Sequence, residues 1–346
     1  KPHPLPRCAG DRLIHVPILL LLIGGVVLFL YALTQLSQVL KDLFSERAKA
    51  AIQHYTSNLF VAIGIGTLLT IILDSSSAVI ILVIVFINAG TLNFRQAIGL
   101  IMGANIGTTF SSQIIAMDVG KYSIIPLFVG LIFEIFAKDE RWKNYGQIAL
   151  YFGMLFFGLF IMEESVLPLR DSEVFANWIE RVEGNHWQGA MIGGLITLII
   201  QSSSGTVGMA IVLGKQGLLG VAGGIAIMLG AELGTCSDTL IATIKGKRAA
   251  LRAGLFHLFF NFATILIGLL LFAPFVQFIL RISQGDDIGQ TIANAHMLFN
   301  ILGVVLFLPL VPVVERLLNR WIPDRTVIEV EPVPLEEREA LYDLEP

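Results

Sequence analysis

The sequence predicts an all-α polytopic membrane protein with two inverted repeats, each carrying a re-entrant helical hairpin and a broken transmembrane helix. Three observations predict this: long apolar runs, an internal repeat offset by 127 positions, and a polar triplet inside one apolar run of each copy. Of the 346 residues, 55% are hydrophobic and only 14% are charged. Soluble domains carry about a quarter charged residues. Uncharged stretches at 16–40, 50–73, 75–94, 96–117, 187–214, 253–280 and 288–314 mostly reach the length that crosses a bilayer, about 20 residues as a helix. The runs do not alternate, which excludes a β-barrel.

Laying residue n over residue n+127 aligns Ser75–Thr108 with Ser202–Thr235 without a gap. Ser75, Ser76, Ser77, Ile84, Val85, Gly90, Ile98, Gly103, Ala104, Gly107 and Thr108 are among the identities. After an N-terminal tail at 1–15, repeat 1 spans 16–138 and repeat 2 spans 145–273. Each unit begins with a spanning helix, at 16–40 and 146–166. The amphipathic stretch 41–55 is expected along the membrane interface or between helices. An apolar hairpin follows, at 57–88 with its tip at 74–77 and at 188–216 with its tip at 201–204. Its arms, about 16 and 12 residues, are too short to cross a bilayer at 1.5 Å per residue. Next comes a helix that the elements GANIGTT (103–109) and GAELGTC (230–236) are expected to interrupt, then a closing helix at 122–137 and 251–273. An additional transmembrane helix at 288–314 and a polar C-terminal tail at 315–346, expected to be disordered, complete the chain.

Loop charges orient the elements. The strongest basic cluster, KGKRAALR at 245–252, is expected in the cytoplasm. The C-terminal tail then lies on the same side, the loop 168–185 lies outside, hairpin one opens inward and hairpin two outward.

Non-helical backbone at membrane depth must be buried in protein or line a wet cavity. A helix that starts at a serine triplet presents free N–H groups and a partial positive charge, which suits an anion. Ser75, Ser76 and Ser77 precede one such arm, and Ser202, Ser203, Ser204 and Gly205 the other. If both tips meet at mid-membrane, neutral donors surround one small space that fits a tetrahedral oxyanion. Gln201, Asn105, Thr108, Glu232 and Thr235 supply hard oxygen atoms suited to Na⁺. Small-residue helix packing is the competing explanation for serines and glycines, and the register of two triplets weighs against it. Among other polar residues, Glu134 can pair with Lys138 one helical turn on, and Glu163 and Glu164 suit a solvated helix end. His257 and Asn261, like His296 and Asn300, form H-x-x-F-N and suit interhelical hydrogen bonds.

No P-loop or G-x-S-x-G element is present, so no enzyme is expected. Cys8 and Cys236 define neither a disulfide framework nor a metal site.

With QSSSG at 201–205, GANIGTT at 103–109 and IANAHMLFNILG at 292–303, the chain resembles the type II sodium/phosphate cotransporter family and its bacterial relatives over about 16–312. The resemblance implies uptake of inorganic phosphate with Na⁺ as coupling ion, by alternating access in the plasma membrane. Phosphate is then expected between the two serine motifs, and Na⁺ at Asp74, Gln201, Asn105, Gly107, Thr108, Thr109, Glu232 and Thr235. No organic cofactor and no nucleic-acid partner are expected; a homodimer is the arrangement expected if the chain self-associates. Asp74 stands where the family has Gln, Glu232 where the repeat mate is Asn105, and Asp238 where it is Ser111. A carboxylate beside an anion needs a neutralising cation or proton. A carrier of another oxyanion or small carboxylate, coupled to Na⁺ or H⁺, is one alternative. A membrane-embedded enzyme or scaffold holding a lipid phosphate is the other.

Overall fold

The computed structural model describes residues 10–56, 58–117, 120–167, 173–244 and 246–324. These residues form α1 (Gly10–Tyr55), α2 (Leu59–Leu73), α3 (Ser76–Ala89), α4 (Phe94–Ala116), α5 (Ile124–Phe136), α6 (Glu140–Val166), α7 (Glu173–Gly184) and α8 (His186–Ile200). The order continues with α9 (Ser203–Lys215), α10 (Val221–Gly234), α11 (Cys236–Thr243), α12 (Arg248–Leu270), α13 (Phe272–Ile282), α14 (Ile288–Phe307) and α15 (Val311–Trp321). Among the described residues, six helical segments are long and apolar enough to cross a membrane: 20–43, 94–116, 140–166, 221–243, 248–270 and 288–321.

Both hairpins form, with arms of 15 and 14 residues (α2, α3) and of 15 and 13 residues (α8, α9). Each arm is shorter than a membrane span. The first arm of each packs along a long helix through glycine. A Cβ on Gly103 would lie 2.0 Å from the Ile63 carbonyl, and one on Gly230 would lie 1.7 Å from the Ala190 carbonyl. Gly66 meets the Leu100 carbonyl at 2.2 Å in the same sense, and Gly193 meets the Ile227 carbonyl at 2.1 Å. Every member of the first pair is 127 positions from its counterpart in the second, so the sequence repeat is also a packing repeat.

The expectation that both Gly-Thr elements break their helices is met in repeat 2, where the helix is interrupted at Thr235, and corrected in repeat 1. α4 runs unbroken through GANIGTT, because its glycines face α2 and serve close approach rather than a turn. In repeat 2 only Thr235 separates α10 from α11, and it keeps right-handed helical dihedrals (φ −68°, ψ −14°). The segment 41–55 also differs from expectation. It contains no Gly or Pro, so α1 carries straight through it. The chain beyond the last long helix is not polar tail from 315 onward. After a 3₁₀ turn at Leu308–Leu310, α15 docks through Val311, Val314 and Leu318. Its register is held by Arg252, which reaches Asn319 and lies 2.5 Å from Asp324. The rest of the expected tail, 325–346, and the expected N-terminal tail up to residue 9 lie outside the described residues.

α5 and α12, which the repeat sets in register, are used differently. α5 lies against α6 with only Gly130 buried, whereas α12 is central and touches α3, α4, α10 and α11. The helix packed like α12 is α14, which shares its H-x-x-F-N. The two run antiparallel: Phe260 meets Phe307 edge-on at 4.8 Å, and a Cβ on Gly268 would lie 2.9 Å from Phe299.

The hairpin bases lie at opposite ends of α4. Leu59 and Ala62, at the start of hairpin one, lie beside Gly99 in the first turns of α4. Lys215, at the end of hairpin two, donates to the Ile115 carbonyl at 3.3 Å at the far end of α4. Lys215 is also 3.7 Å from Glu163, so Glu163 faces a half-buried cation rather than a solvated helix end. Glu134 likewise takes a different partner from the one expected: Gln147 Nε2 donates to it at 3.1 Å.

Candidate anion and cation site

Each hairpin turns on two residues. Asp74 (φ 50°, ψ 31°) and Gln201 (φ 58°, ψ 31°) occupy the left-handed region, and among the described residues they are the only non-glycines with positive φ. The next residues, Ser75 (φ −158°, ψ 109°) and Ser202 (φ −146°, ψ 109°), are extended N-caps. Ser75 Oγ accepts from Ala78 N at 3.1 Å, and Ser202 Oγ accepts from Gly205 N at 3.0 Å. Two separate stretches of chain therefore adopt one backbone solution. Left-handed geometry costs a non-glycine residue about 1–2 kcal/mol, and strain of this kind collects at functional sites. The arrangement leaves the first amides of α3 and α9 at the tip, beside Ser76 and Ser203, both largely buried.

Tip one is tied to both halves of the chain. Ser111 of α4 donates to Asp74, and Ser77 hydrogen-bonds to Asp238 of α11. Ser111 and Asp238 are themselves repeat mates. α1 touches the same tip, where Ser37 Oγ donates to the Leu73 carbonyl at 2.8 Å. Tip two is covered by α1 as well: a Cβ on Gly205 would lie 2.9 Å from Leu30. Ser204 is buried in the first turn of that arm, while Gln201 is exposed.

Of the residues expected to bind Na⁺, Asp74 and Gln201 are at the two turns, Thr235 caps α10, and the others lie on α4 and α10. Asn105 Nδ2 donates to Asn261 Oδ1 at 2.5 Å. Its mate Glu232 has Oε1 2.5 Å from His296 Nε2. The Thr108 hydroxyl donates to the Ala104 carbonyl at 3.0 Å, the Thr109 hydroxyl to the Ile106 carbonyl at 2.7 Å, and the Thr235 hydroxyl to the Glu232 carbonyl at 3.0 Å. Gly107 is buried against Thr67 and Thr70. With α4 unbroken, the backbone around 103–109 is committed to the helix, so oxygen ligands in repeat 1 must come from side chains.

The two histidines complete a matched frame. His296 Nδ1 is 2.7 Å from Ser112 Oγ, and His257 Nδ1 is 2.9 Å from Thr239 Oγ1. Ser112 and Thr239 are again 127 apart. Both histidines therefore serve interhelical hydrogen bonds. Ser111, Ser112, Gln113 and Asn294 were not singled out from the sequence as site residues. The i, i+3, i+4, i+7 spacing of Asn105, Thr108, Thr109 and Ser112 is a helical polar face that could have flagged the second of these.

Comparison with known proteins settles the family. A family model described as Na⁺/Pi-cotransporter matches the chain twice, over 28–164 and 169–305. The chain belongs to the Na⁺/Pi-cotransporter family. The uncharacterized protein YqeW of Bacillus subtilis is 30% identical over 312 residues, covering 88% of this chain and 99% of its own length. The putative inorganic phosphate export protein YjbB of Escherichia coli is 22% identical over 90% of this chain, which spans 57% of that protein. Sodium-dependent phosphate transport protein 2B of Homo sapiens is 34% identical over 108 residues, 30% of this chain and 16% of the human protein. No solved structure matches the chain. The family and the apolar helices together make this a multi-pass membrane protein of a phosphate-transporting family.

Proposed function

We propose that the chain is a Na⁺-coupled phosphate transporter working by alternating access. One phosphate lies between Ser75–Ser77 and Ser202–Gly205. Na⁺ is bound by side chains drawn from Asp74, Gln201, Asn105, Thr108, Thr109, Glu232 and Thr235. The observation that carries the reading is the pair of left-handed breaks with serine N-caps at matched dihedrals. Each aims unsatisfied helix amides at its tip, and two such tips offer the many donors a tetrahedral oxyanion needs. The same geometry accounts for coupling. Phosphate beside the carboxylate of Asp74 is repulsive, whereas a Na⁺ 4 Å away contributes about 4 kcal/mol at an effective dielectric near 20. Ion and anion then bind cooperatively, and the empty carrier and the fully loaded carrier are the favoured species.

The hairpins open to opposite membrane faces, with hairpin one and the 245–252 loop towards the cytoplasm. The bases at the two ends of α4 support this, and labelling a cysteine at Asp324 from inside but not outside intact cells checks it. Direction is set by the gradients. With Na⁺ high outside, the cycle imports phosphate. The names of the YjbB relatives favour a second reading, net export. Proteoliposomes decide between them: phosphate accumulation under an inward Na⁺ gradient supports coupled import. Efflux of preloaded phosphate that ignores Na⁺ supports uncoupled export and sinks the first reading.

A further inference from the structure

Two adjoining sets of hydrogen-bonded polar residues along α4 and α14 form a seam from a loop at one membrane face towards buried Glu232. Asp286 Oδ2, at the exposed end, accepts from Asn294 Nδ2 at 2.9 Å, and Ser283 Oγ accepts from the same nitrogen at 3.0 Å. Asn294 Oδ1 accepts from Gln113 Nε2 at 3.2 Å and from Gln290 Nε2 at 3.1 Å. Gln290 Nε2 also donates to Gln113 Oε1 at 2.7 Å. The second set begins at the residue before Gln113 on α4: Ser112 reaches His296, which reaches Glu232. Ser112, His296 and Glu232 are all buried, so the seam stays polar as it deepens. It has a carboxylate at each end and amide oxygens between. Polar groups at membrane depth are costly and mark ion pathways.

The matched frame around α12 provides an internal control. Superposing His257 on His296 sets Leu251 opposite Gln290, Leu255 opposite Asn294 and Lys247 opposite Asp286. The repeat mate of Gln113 is Leu240. Three amides and a carboxylate on one side thus correspond to three leucines and a lysine on the other. Repeat-related packing alone does not account for the difference, since α14 packs α4, α9 and α10 and α12 packs their repeat counterparts α10, α11, α3 and α4.

We propose that the seam along α4 and α14 is the access route of the coupling cation, opening only at the face of the 283–287 loop and ending at Glu232, with Gln113, Gln290 and Asn294 as its selective lining. This rests on the Na⁺-coupled reading above and assigns it a path. The test is phosphate uptake by oriented proteoliposomes with Na⁺ titrated on the 283–287 face. Asn294→Leu raises the half-saturating Na⁺ concentration about tenfold, while the phosphate KM at saturating Na⁺ is unchanged. Asn294→Gln, which keeps the amide, restores most of the Na⁺ affinity. Gln290→Leu, nearer the mouth and half-buried, gives the same split if Asn294→Leu does not fold. Unchanged Na⁺ dependence in folded leucine variants, with Na⁺-dependent wild-type uptake, overturns the route and leaves the coupled reading standing. Uptake by wild-type protein that ignores Na⁺ overturns both.

Discussion

Hairpin one and hairpin two share a backbone and differ in chemistry. Their turns agree within 8° in φ at the left-handed residue, 50° against 58°, and their first arms bury the same glycine contacts. Yet Asp74 replaces Gln201, Asn105–Asn261 stands where Glu232–His296 stands, and Ser111 answers Asp238. Inside the hairpins, Thr197 donates to Thr206 at 2.7 Å, whereas the mate of Thr206 is Val79 and the Thr70 hydroxyl is buried without a partner. The shared parts fix where the chain breaks. The divergent parts place the ionisable groups: Asp74 on tip one, Asp238 on α11 and Glu232 against His296. The repeat supplies a symmetric frame, and the ionisable residues sit where that symmetry is lost.

The largest effects should come from attacking what the halves share. Gly103→Val and Gly230→Val each force a branched side chain into a backbone carbonyl, with destabilisation of about 3 kcal/mol or more. Loss of monodisperse protein in thermal stability assays of both variants is the expected outcome. Tolerance of one alone would break the packing equivalence. Ser76→Ala and Ser203→Ala should each lower phosphate uptake about 30-fold or more while the protein still folds, read by initial rates and by melting temperature.

Smaller effects should follow the divergence. Asp74→Gln makes tip one chemically like tip two, and the Na⁺ concentration dependence of uptake should shift while the fold is retained; an unaltered Na⁺ profile removes Asp74 from coupling. The smallest contrast is within the hairpins. Thr197→Val should cost about 1 kcal/mol by removing the bond to Thr206, whose hydroxyl keeps the Ser202 carbonyl at 3.2 Å. Thr70→Val, which removes a hydroxyl that has no partner, should be neutral or slightly stabilising, as chemical unfolding of the two variants will measure.

Much of this was legible before any coordinates. The repeat offset located both tips, because a serine triplet in register inside two apolar runs has few packing explanations. The Gly-Thr elements were read as breaks because a glycine-rich helix segment permits either a turn or close approach, and only the partner helix decides. Here Ile63 decides for close approach in repeat 1, whereas repeat 2 has both, Gly230 packed on the Ala190 carbonyl and the helix interrupted at Thr235. The continuation of α1 through 41–55 was hidden by its amphipathic pattern, which an interfacial helix shares. The frame around His296 was legible only in part. Ser112 and His296 are 184 positions apart, and Asn105 and Asn261 are 156 apart. No local pattern announces such pairings. The seam through Gln113, Gln290 and Asn294 was missed for the same reason, since each residue alone looks like an ordinary polar residue near a helix end.

The central claim is that both tips hold one and the same phosphate. Equilibrium binding of radiolabelled phosphate to the purified protein in Na⁺ tests it most directly. The account predicts one phosphate per chain, lost in Ser76→Ala and equally in Ser203→Ala. Two phosphates per chain, or full binding after either substitution in a folded protein, would contradict it.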